Sequence, residues 1–153
     1  MSTPYDILKF VHVLAATGWV GGDIVLLLLA TQVRSNGTAA EMSALLGRME
    51  GFSKTFFAPL SVLVLVMGIG MAVIGGLFAA PWVSTGFLAI FASAGIGMGL
   101  LTPQARKLKA IIEARGKDDP EAISLGNRLL LWARLDVLVL VIAVAVMVFK
   151  PGA

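Results

Sequence analysis

Four runs of apolar residues, each about as long as a bilayer is thick, constrain this chain more than any other feature. They cover Ile7 to Val33, Ala58 to Ala80, Val83 to Thr102 and Leu129 to Phe149. A helix needs ~20 apolar residues to cross the hydrocarbon core, and it satisfies its own backbone hydrogen bonds there. Only 14% of the 153 residues are charged, against about a quarter in soluble domains. The sequence therefore predicts an all-α integral membrane four-helix bundle, a single domain over residues 1–153 that contacts the lipid bilayer.

The positions of Lys and Arg predict how this bundle is oriented. The N-terminus, the link between the second and third spans, and the C-terminus together hold only Lys9 and Lys150. The opposite side holds all the other basic residues: Arg34, Arg48, Lys54, Arg106, Lys107, Lys109, Arg115, Lys117, Arg128 and Arg134. By the positive-inside rule that side faces the cytoplasm, so we expect an N-out, C-out bundle. This topology explains the net charge of +3, and no basic and aromatic stripe indicates a nucleic acid as partner.

The link between the first two spans carries the signals of a further helix. Thr38 and Glu41 have the spacing of a capping box, and apolar residues recur after them at helical intervals. These signals predict an interfacial helix over approximately residues 39–56. It either lies in the membrane interface or leads into the second span.

The other two links are predicted from proline positions. Pro81 and Trp82 separate the second and third spans, which predicts a tight turn and an antiparallel helical hairpin. Asp119 followed by Pro120 is typical of an N-cap and the first residue of a helix. The fourth helix is therefore expected to begin in the cytoplasm and to enter the membrane near Leu129.

Two acidic residues lie within the predicted spans, and their ionised side chains have a high free-energy cost inside a bilayer. Asp23 lies near mid-membrane on the face of the first helix that also carries His12 and Trp19. An ionised carboxylate at such a depth costs ~2.5–3.5 kcal/mol. Asp136 lies about two turns inside the cytoplasmic boundary of the fourth helix. Two interpretations stay open: the acids carry protons or metal ions, or they fix helix register, with Asp136 paired to a basic residue such as Arg106.

His12 is the only histidine in the chain, and cysteine is absent. Cu(I) prefers soft methionine with histidine, and heme b needs an axial histidine with a second histidine or a methionine opposite. Met71 on the second span and Met147 on the fourth lie at depths near that of His12. The candidate metal ligands are thus His12, Met71 and Met147, with the alternative that both methionines only fill the core.

The stretch from His12 to Gly22, HVLAATGWVGG, resembles the first-helix pattern of copper-resistance D (CopD) domains and of HemJ-type protoporphyrinogen oxidases. Over its full length the chain is most similar to an uncharacterised family of small bacterial four-helix integral membrane proteins near that group. The last helix of that family ends in a Met-rich run and Lys-Pro, as Met147 to Pro151 does here.

The resemblance implies a multi-pass protein of the bacterial cytoplasmic (inner) membrane. It also implies that His12 takes part in binding heme, with Trp19 and Gly22 packed beside it as cofactor-binding residues. HemJ-like sequences carry a further histidine at the end of this helix, where the present chain has only Leu and Ala through Ala30. Protoporphyrinogen oxidation is therefore not the expected activity.

Several function classes remain open from the sequence. The chain is a candidate for binding heme or copper through His12, and as an enzyme it would be a heme-dependent membrane oxidoreductase. As a transporter it would move protons or metal ions past Asp23 and Asp136. Small residues recur at four-residue spacing on three spans: Gly18 and Gly22; Gly68, Ala72 and Gly76; and Ala89, Ser93 and Gly97. As an accessory subunit the chain would use these small-residue faces against a partner membrane subunit, and a homo-oligomer would bring two copies of His12 together.

Overall fold

The computed structural model describes residues 3–152 and contains helices and turns only over that range. Two π-helical segments, Ser53–Phe57 and Gly95–Leu101, each join two helices into a continuous rod. The helices are α1 (Pro4–Asn36), α2 (Ala39–Phe52), α3 (Ala58–Gly75), α4 (Pro81–Ala94), α5 (Thr102–Arg115) and α6 (Pro120–Phe149). Four rods are long and apolar enough to cross a membrane: α1, α2 with α3, α4 with α5, and α6. The predicted all-α four-helix membrane fold is confirmed.

Local capping signals place the helix starts. The Thr38 side chain accepts a hydrogen bond from the Glu41 amide at 3.2 Å, and the Glu41 carboxylate accepts one from the Thr38 amide at 2.7 Å. Asp119 caps α6, and Pro120 is its first residue, where the missing N–H costs nothing. Both predicted helix starts are confirmed. A further capping box, Thr3 with Asp6, begins α1.

The hairpin between α3 and α4 differs from its predicted form. The helix of the second span ends at Gly75 and not at Ala80, because Gly76 adopts a left-handed conformation with φ of 63° that only glycine tolerates freely. The turn occupies residues 76–80, and Pro81 then begins α4 instead of forming the turn. Proline fixes φ near the helical value and suits the first turn of a helix. The two rods are antiparallel, as predicted.

The predicted interfacial helix is the leading part of the second rod. α2 ends at Phe52 and continues through the π-helical segment into α3. It packs against α5 on the side of the bundle that carries most basic residues, here called the basic side. The opposite side, with the chain ends and the turn at 76–80, is called the terminal side. α5 extends the third span beyond Thr102 to Arg115.

The core consists of two buried clusters. The first lies on the basic side, where α5 and α6 meet α2. The second lies between α1, α3 and α6, and is called the apolar layer; it consists of Ala15, Trp19, Val64 and Leu140. Outside these two clusters many large apolar side chains of the spans are exposed on the outer surface of the bundle; Leu88 is 70% exposed and Phe149 is 80% exposed. This apolar surface is what a protein in contact with lipid requires.

Ion pairs on the basic side hold α2 against α5. Arg106 donates to Glu50 from two nitrogens, at 2.6 and 3.0 Å, and Lys54 donates to the same carboxylate at 3.0 Å. These donors lower the pKa of Glu50, which lies outside the apolar spans, to about 2. Arg106 is therefore engaged by Glu50. The predicted pairing of Arg106 with Asp136 is wrong. Arg106 pairs instead with Glu50 near the end of α2, where the guanidinium stays at the surface and its charge need not be buried.

Candidate functional site

A cavity of about 200 Å³ lies in the basic-side half of the bundle and is called the inner cavity. Its walls come from all four rods. Asp23 of α1, Ser93 of α4 and Asp136 of α6 line it, and they place three polar side chains from three rods around one space. Both acids singled out from the sequence therefore reach the same cavity, although they are 113 positions apart in the chain.

One side-chain oxygen of each residue in this group is buried and has no hydrogen-bond partner among residues 3–152. Asp136 is 5% exposed and Ser93 is 2% exposed. Asp23 Oδ2, Asp136 Oδ1 and Ser93 Oγ have no hydrogen-bond partner among residues 3–152. The two carboxyl groups are close enough to interact electrostatically; the hydroxyl of Ser93 lies beside the carboxyl of Asp136, and the indole of Trp19 lies beside that of Asp23. We call these three residues the acid site.

The Ser93 hydroxyl can donate a hydrogen bond to only one acceptor, so the residues of the acid site do not satisfy the buried oxygens of both acids. Buried polar atoms are normally hydrogen-bonded, and two carboxylates cannot both stay ionised at close range without a counter-charge. A proton, an ordered water or a metal cation would satisfy them. Carboxylate and hydroxyl oxygens are hard ligands, so the cations that suit the acid site are protons and hard metal ions.

The basic-side end of the inner cavity carries fixed charges. Arg34 donates to Asn127 Oδ1 at 2.6 Å and to the Ile123 carbonyl at 3.2 Å, and its guanidinium lies over Gly126 where a Cβ would overlap it. No acidic side chain forms an ion pair with Arg34 in the described part of the chain. Arg106, paired with Glu50, lines the same end. Arg34 therefore gives this entrance a positive charge that no acidic side chain of the described residues neutralises, whereas the charge of Arg106 is balanced by Glu50.

A second cavity of about 150 Å³ lies in the terminal-side half and is called the outer cavity. His12, Met71 and Met147 all line it, so the structure brings the three candidate metal ligands together. His12 Nδ1 lies 2.8 Å from the Val64 carbonyl oxygen. Because only a protonated nitrogen can donate to a carbonyl, Nδ1 carries the hydrogen and Nε2 keeps a free lone pair.

Glycines make room for these side chains. The methyl group of Met147 occupies the space that a Cβ on Gly86 would fill, and the His12 ring lies 3.2 Å from the Cβ position of Gly68. Lys9 and Lys150 also line the outer cavity. The outer cavity therefore combines soft and imidazole donors with a positively charged rim.

The structure does not bring together the set of His12, Trp19 and Gly22. Trp19 belongs to the apolar layer and lines the inner cavity, while His12 lines the outer one. Gly22 packs against the rings of Phe56 and Phe57, with its Cβ position 2.8 Å from Phe56 Cε1. The stripe on α1 thus spans two cavities, since His12 and Trp19 are seven residues or ~10 Å apart along the helix.

Sequence reasoning missed two contributors to these cavities. Ser93 carries the third unpartnered oxygen of the acid site, and its signal was a hydroxyl at four-residue spacing from Ala89 and Gly97. Lys150 reaches the outer cavity from the far end of the chain and lies 5.3 Å from the ring centre of Trp82. No local pattern indicates that contact.

Four membrane-length rods with ionisable residues inside the spans define a small multi-pass integral membrane protein. A family model described as a predicted integral membrane protein (DUF2269) matches residues 6–151, nearly the whole chain. The chain belongs to this family. No match was found among curated proteins or among solved structures.

Proposed function

We propose that this protein transports a cation, either a proton or a metal ion, by binding it at the acid site formed by Asp23, Asp136 and Ser93. The observation that carries the proposal is the convergence of three buried, unpartnered oxygens from three rods on one cavity. Ionisable groups within membrane spans are costly and commonly mark ion or proton pathways.

The position of the cavity supports access from one side. Its lining runs from Asp136 to Arg34 at the basic-side end. By the positive-inside rule that end faces the cytoplasm of a bacterial inner membrane. The cation would thus exchange between the acid site and the cytoplasm, and both acids would alternate between charged and neutralised forms.

Flux in proteoliposomes tests this proposal. Vesicles with a trapped pH dye and an imposed potassium diffusion potential report proton entry, and metal-sensitive dyes report metal entry. We expect Asp23→Asn and Asp136→Asn to reduce the flux by at least about tenfold, because an amide can neither release a proton nor neutralise a cation. Asp118→Asn is the matched control, since Asp118 lies exposed in the link before α6. Wild-type flux equal to that of empty vesicles, or flux unchanged in both variants, would overturn the proposal.

A second candidate function is binding of Cu(I) at the outer cavity. The observation that favours it is that His12, Met71 and Met147 line one space, with His12 Nε2 free to accept a metal. One imidazole and two thioethers are a donor set that suits Cu(I). The resemblance of the first helix to CopD domains agrees with this candidate.

Heme b does not fit the same place. The outer cavity measures about 150 Å³, whereas pockets for drug-sized ligands occupy ~300–1,000 Å³. The space beside Gly86 is already filled by Met147. We therefore derive no chemistry through heme.

Metal competition tests the copper candidate. Purified protein is titrated with Cu(I) against a coloured chelator, together with elemental analysis and a visible spectrum. We expect His12→Ala and Met147→Leu each to weaken binding by at least about tenfold. Met98→Leu serves as the control, because Met98 is 67% exposed and does not line the outer cavity. Equal affinity in all three variants would rule out this site.

A further inference from the structure

We propose that the two cavities are the two ends of one proton route across the membrane, closed in the middle by the apolar layer. This inference rests on the proposed function, because the acid site is the inner end of the route. It adds the substrate, a proton, and assigns the barrier to Ala15, Trp19, Val64 and Leu140.

The apolar layer separates the cavities and contacts both of them. Trp19 lines the inner cavity, and Val64 lines the outer one. Both residues belong to the same buried cluster. The packed side chains of this layer therefore lie between the two cavities. Hydrophobic constrictions of this kind close a pore by excluding water.

Proton-carrying groups lie against both faces of the layer. On the inner face, Trp19 precedes Asp23 by one helical turn on α1, and Asp136 precedes Leu140 by one turn on α6. On the outer face, His12 donates from Nδ1 to the carbonyl of Val64, a residue of the layer itself. The free Nε2 of His12 can take up and release a proton. A proton thus has an acceptor directly above and below the barrier.

The charges at the two entrances select against metal ions. On the inner side, Arg34 lines the cavity without an acidic partner among the described residues, while Arg106 is neutralised by Glu50. On the outer side, the positively charged Lys9 and Lys150 line the same cavity as His12. Fixed positive charge at both ends opposes the entry of a hydrated metal cation. A proton can pass through rearranged hydrogen bonds without a cation moving bodily past these side chains.

Labelling of single cysteines tests the two-cavity arrangement without relying on flux. The chain has no cysteine of its own, so each introduced thiol reports one position. An impermeant anionic methanethiosulfonate, which the basic rims attract, is added to either side of oriented membrane vesicles. We expect Met71→Cys to react from the terminal side only and Leu140→Cys from neither side. Ser61→Cys, at a partly exposed position that lines the inner cavity, should react from the basic side only. Leu88→Cys, 70% exposed to lipid, is the control for a thiol that meets no water.

Opening the layer gives the second measurement. We expect Trp19→Ala to make Leu140→Cys reactive from both sides and to raise proton flux by at least about tenfold, without raising metal-ion flux. Adding Asp23→Asn to Trp19→Ala should remove the extra proton flux. If Trp19→Ala does not fold, the labelling pattern in the presence of Trp19 decides the question.

The outcomes separate this inference from the proposed function. Labelling of Ser61→Cys from the terminal side, or ready labelling of Leu140→Cys with Trp19 present, overturns the closed route even where flux depends on the acids. Metal-ion flux that rises with proton flux in Trp19→Ala overturns the assignment of the proton. Flux that does not depend on Asp23 or Asp136 overturns the role of the acid site in transport. It also overturns the proposed proton route, even if the labelling pattern is as expected.

Discussion

The guanidinium of Arg34 lies where a side chain at position 126 would begin. We therefore predict that Gly126→Ala lowers the free energy of unfolding, although alanine normally stabilises a helix relative to glycine. Gly126 is inside α6, so Gly126→Ala should gain ~1 kcal/mol of helix propensity. The added Cβ would also displace the Arg34 guanidinium from its place over α6. Arg34 would then lose its bonds to Asn127 and the Ile123 carbonyl, 2.6 and 3.2 Å long.

These two effects oppose each other. The charge-assisted hydrogen bonds of a half-exposed arginine are together worth about 2 kcal/mol. We therefore expect Gly126→Ala to lower the free energy of unfolding by about 1 kcal/mol when Arg34 is present. In an Arg34→Ala background the bonds are already gone, so the same substitution should raise it by about 1 kcal/mol. The coupling between the two positions is then about 2 kcal/mol.

Unfolding of the four proteins of this cycle in detergent micelles, followed by circular dichroism, measures the coupling. Gly51→Ala is the matched control, since a Cβ at this exposed position of α2 has no neighbour within 4 Å. It should have the same effect in either background. If Gly126→Ala stabilises the protein equally with and without Arg34, the guanidinium does not occupy this place and the reasoning is refuted.

Three further perturbations test the packing and the basic side. Thr38→Ala removes the capping box of α2 and should lower the free energy of unfolding by about 0.5–2 kcal/mol, with faster amide exchange in the first turn of α2. Gly86→Val should cost about 1–3 kcal/mol because a methionine methyl already fills the site, whereas Gly21→Val, with open space around it, should cost less. The pKa of Glu50 is lowered from 4.5 to about 2 in the folded state, so its contribution to stability is present above about pH 4.5 and lost as the pH falls toward 2. Thermal unfolding measured from pH 4.5 to pH 2 should show that Glu50→Gln loses less stability than the wild type as the pH falls. An equal loss of stability in both proteins would contradict the role of the ion pair between Glu50 and Arg106.

Local signals in the sequence are sufficient for the four rods and for the starts of α2 and α6. The length of an apolar run decides whether it can span a membrane, and the residues at Thr38 and Asp119 decide where helices begin, so neither depends on distant parts of the chain. The end of α3 is not predicted, because the conformation of Gly76 depends on the turn at residues 76–80. The π-helical segments also have no local signature in this chain.

The cavities depend on how the rods are rotated, which a single sequence does not specify. Helical periodicity correctly places His12, Trp19 and Asp23 on one face of α1 but does not reveal that the apolar layer divides this face. Depth alone suggests that Met71 and Met147 approach His12, and the structure places all three around the outer cavity. The predicted partner of Arg106 is wrong because Glu50 lies on a helix whose packing against α5 has no signal in the sequence.

The two π-helical segments have a consequence for how such a chain can vary. A π-helical turn holds one residue more than an α-helical turn, so each segment acts as a one-residue insertion that rotates the rest of the rod by ~100°. Both segments contribute to the wall of the inner cavity, through Ser53 and Phe57 on one rod and Gly97 and Met98 on the other. Deleting one residue from either segment would restore a regular helix and turn α2 or α5 away from its partner, while the terminal half keeps its register. Natural length changes at these two places would therefore remodel the inner cavity alone and leave the outer cavity as it is.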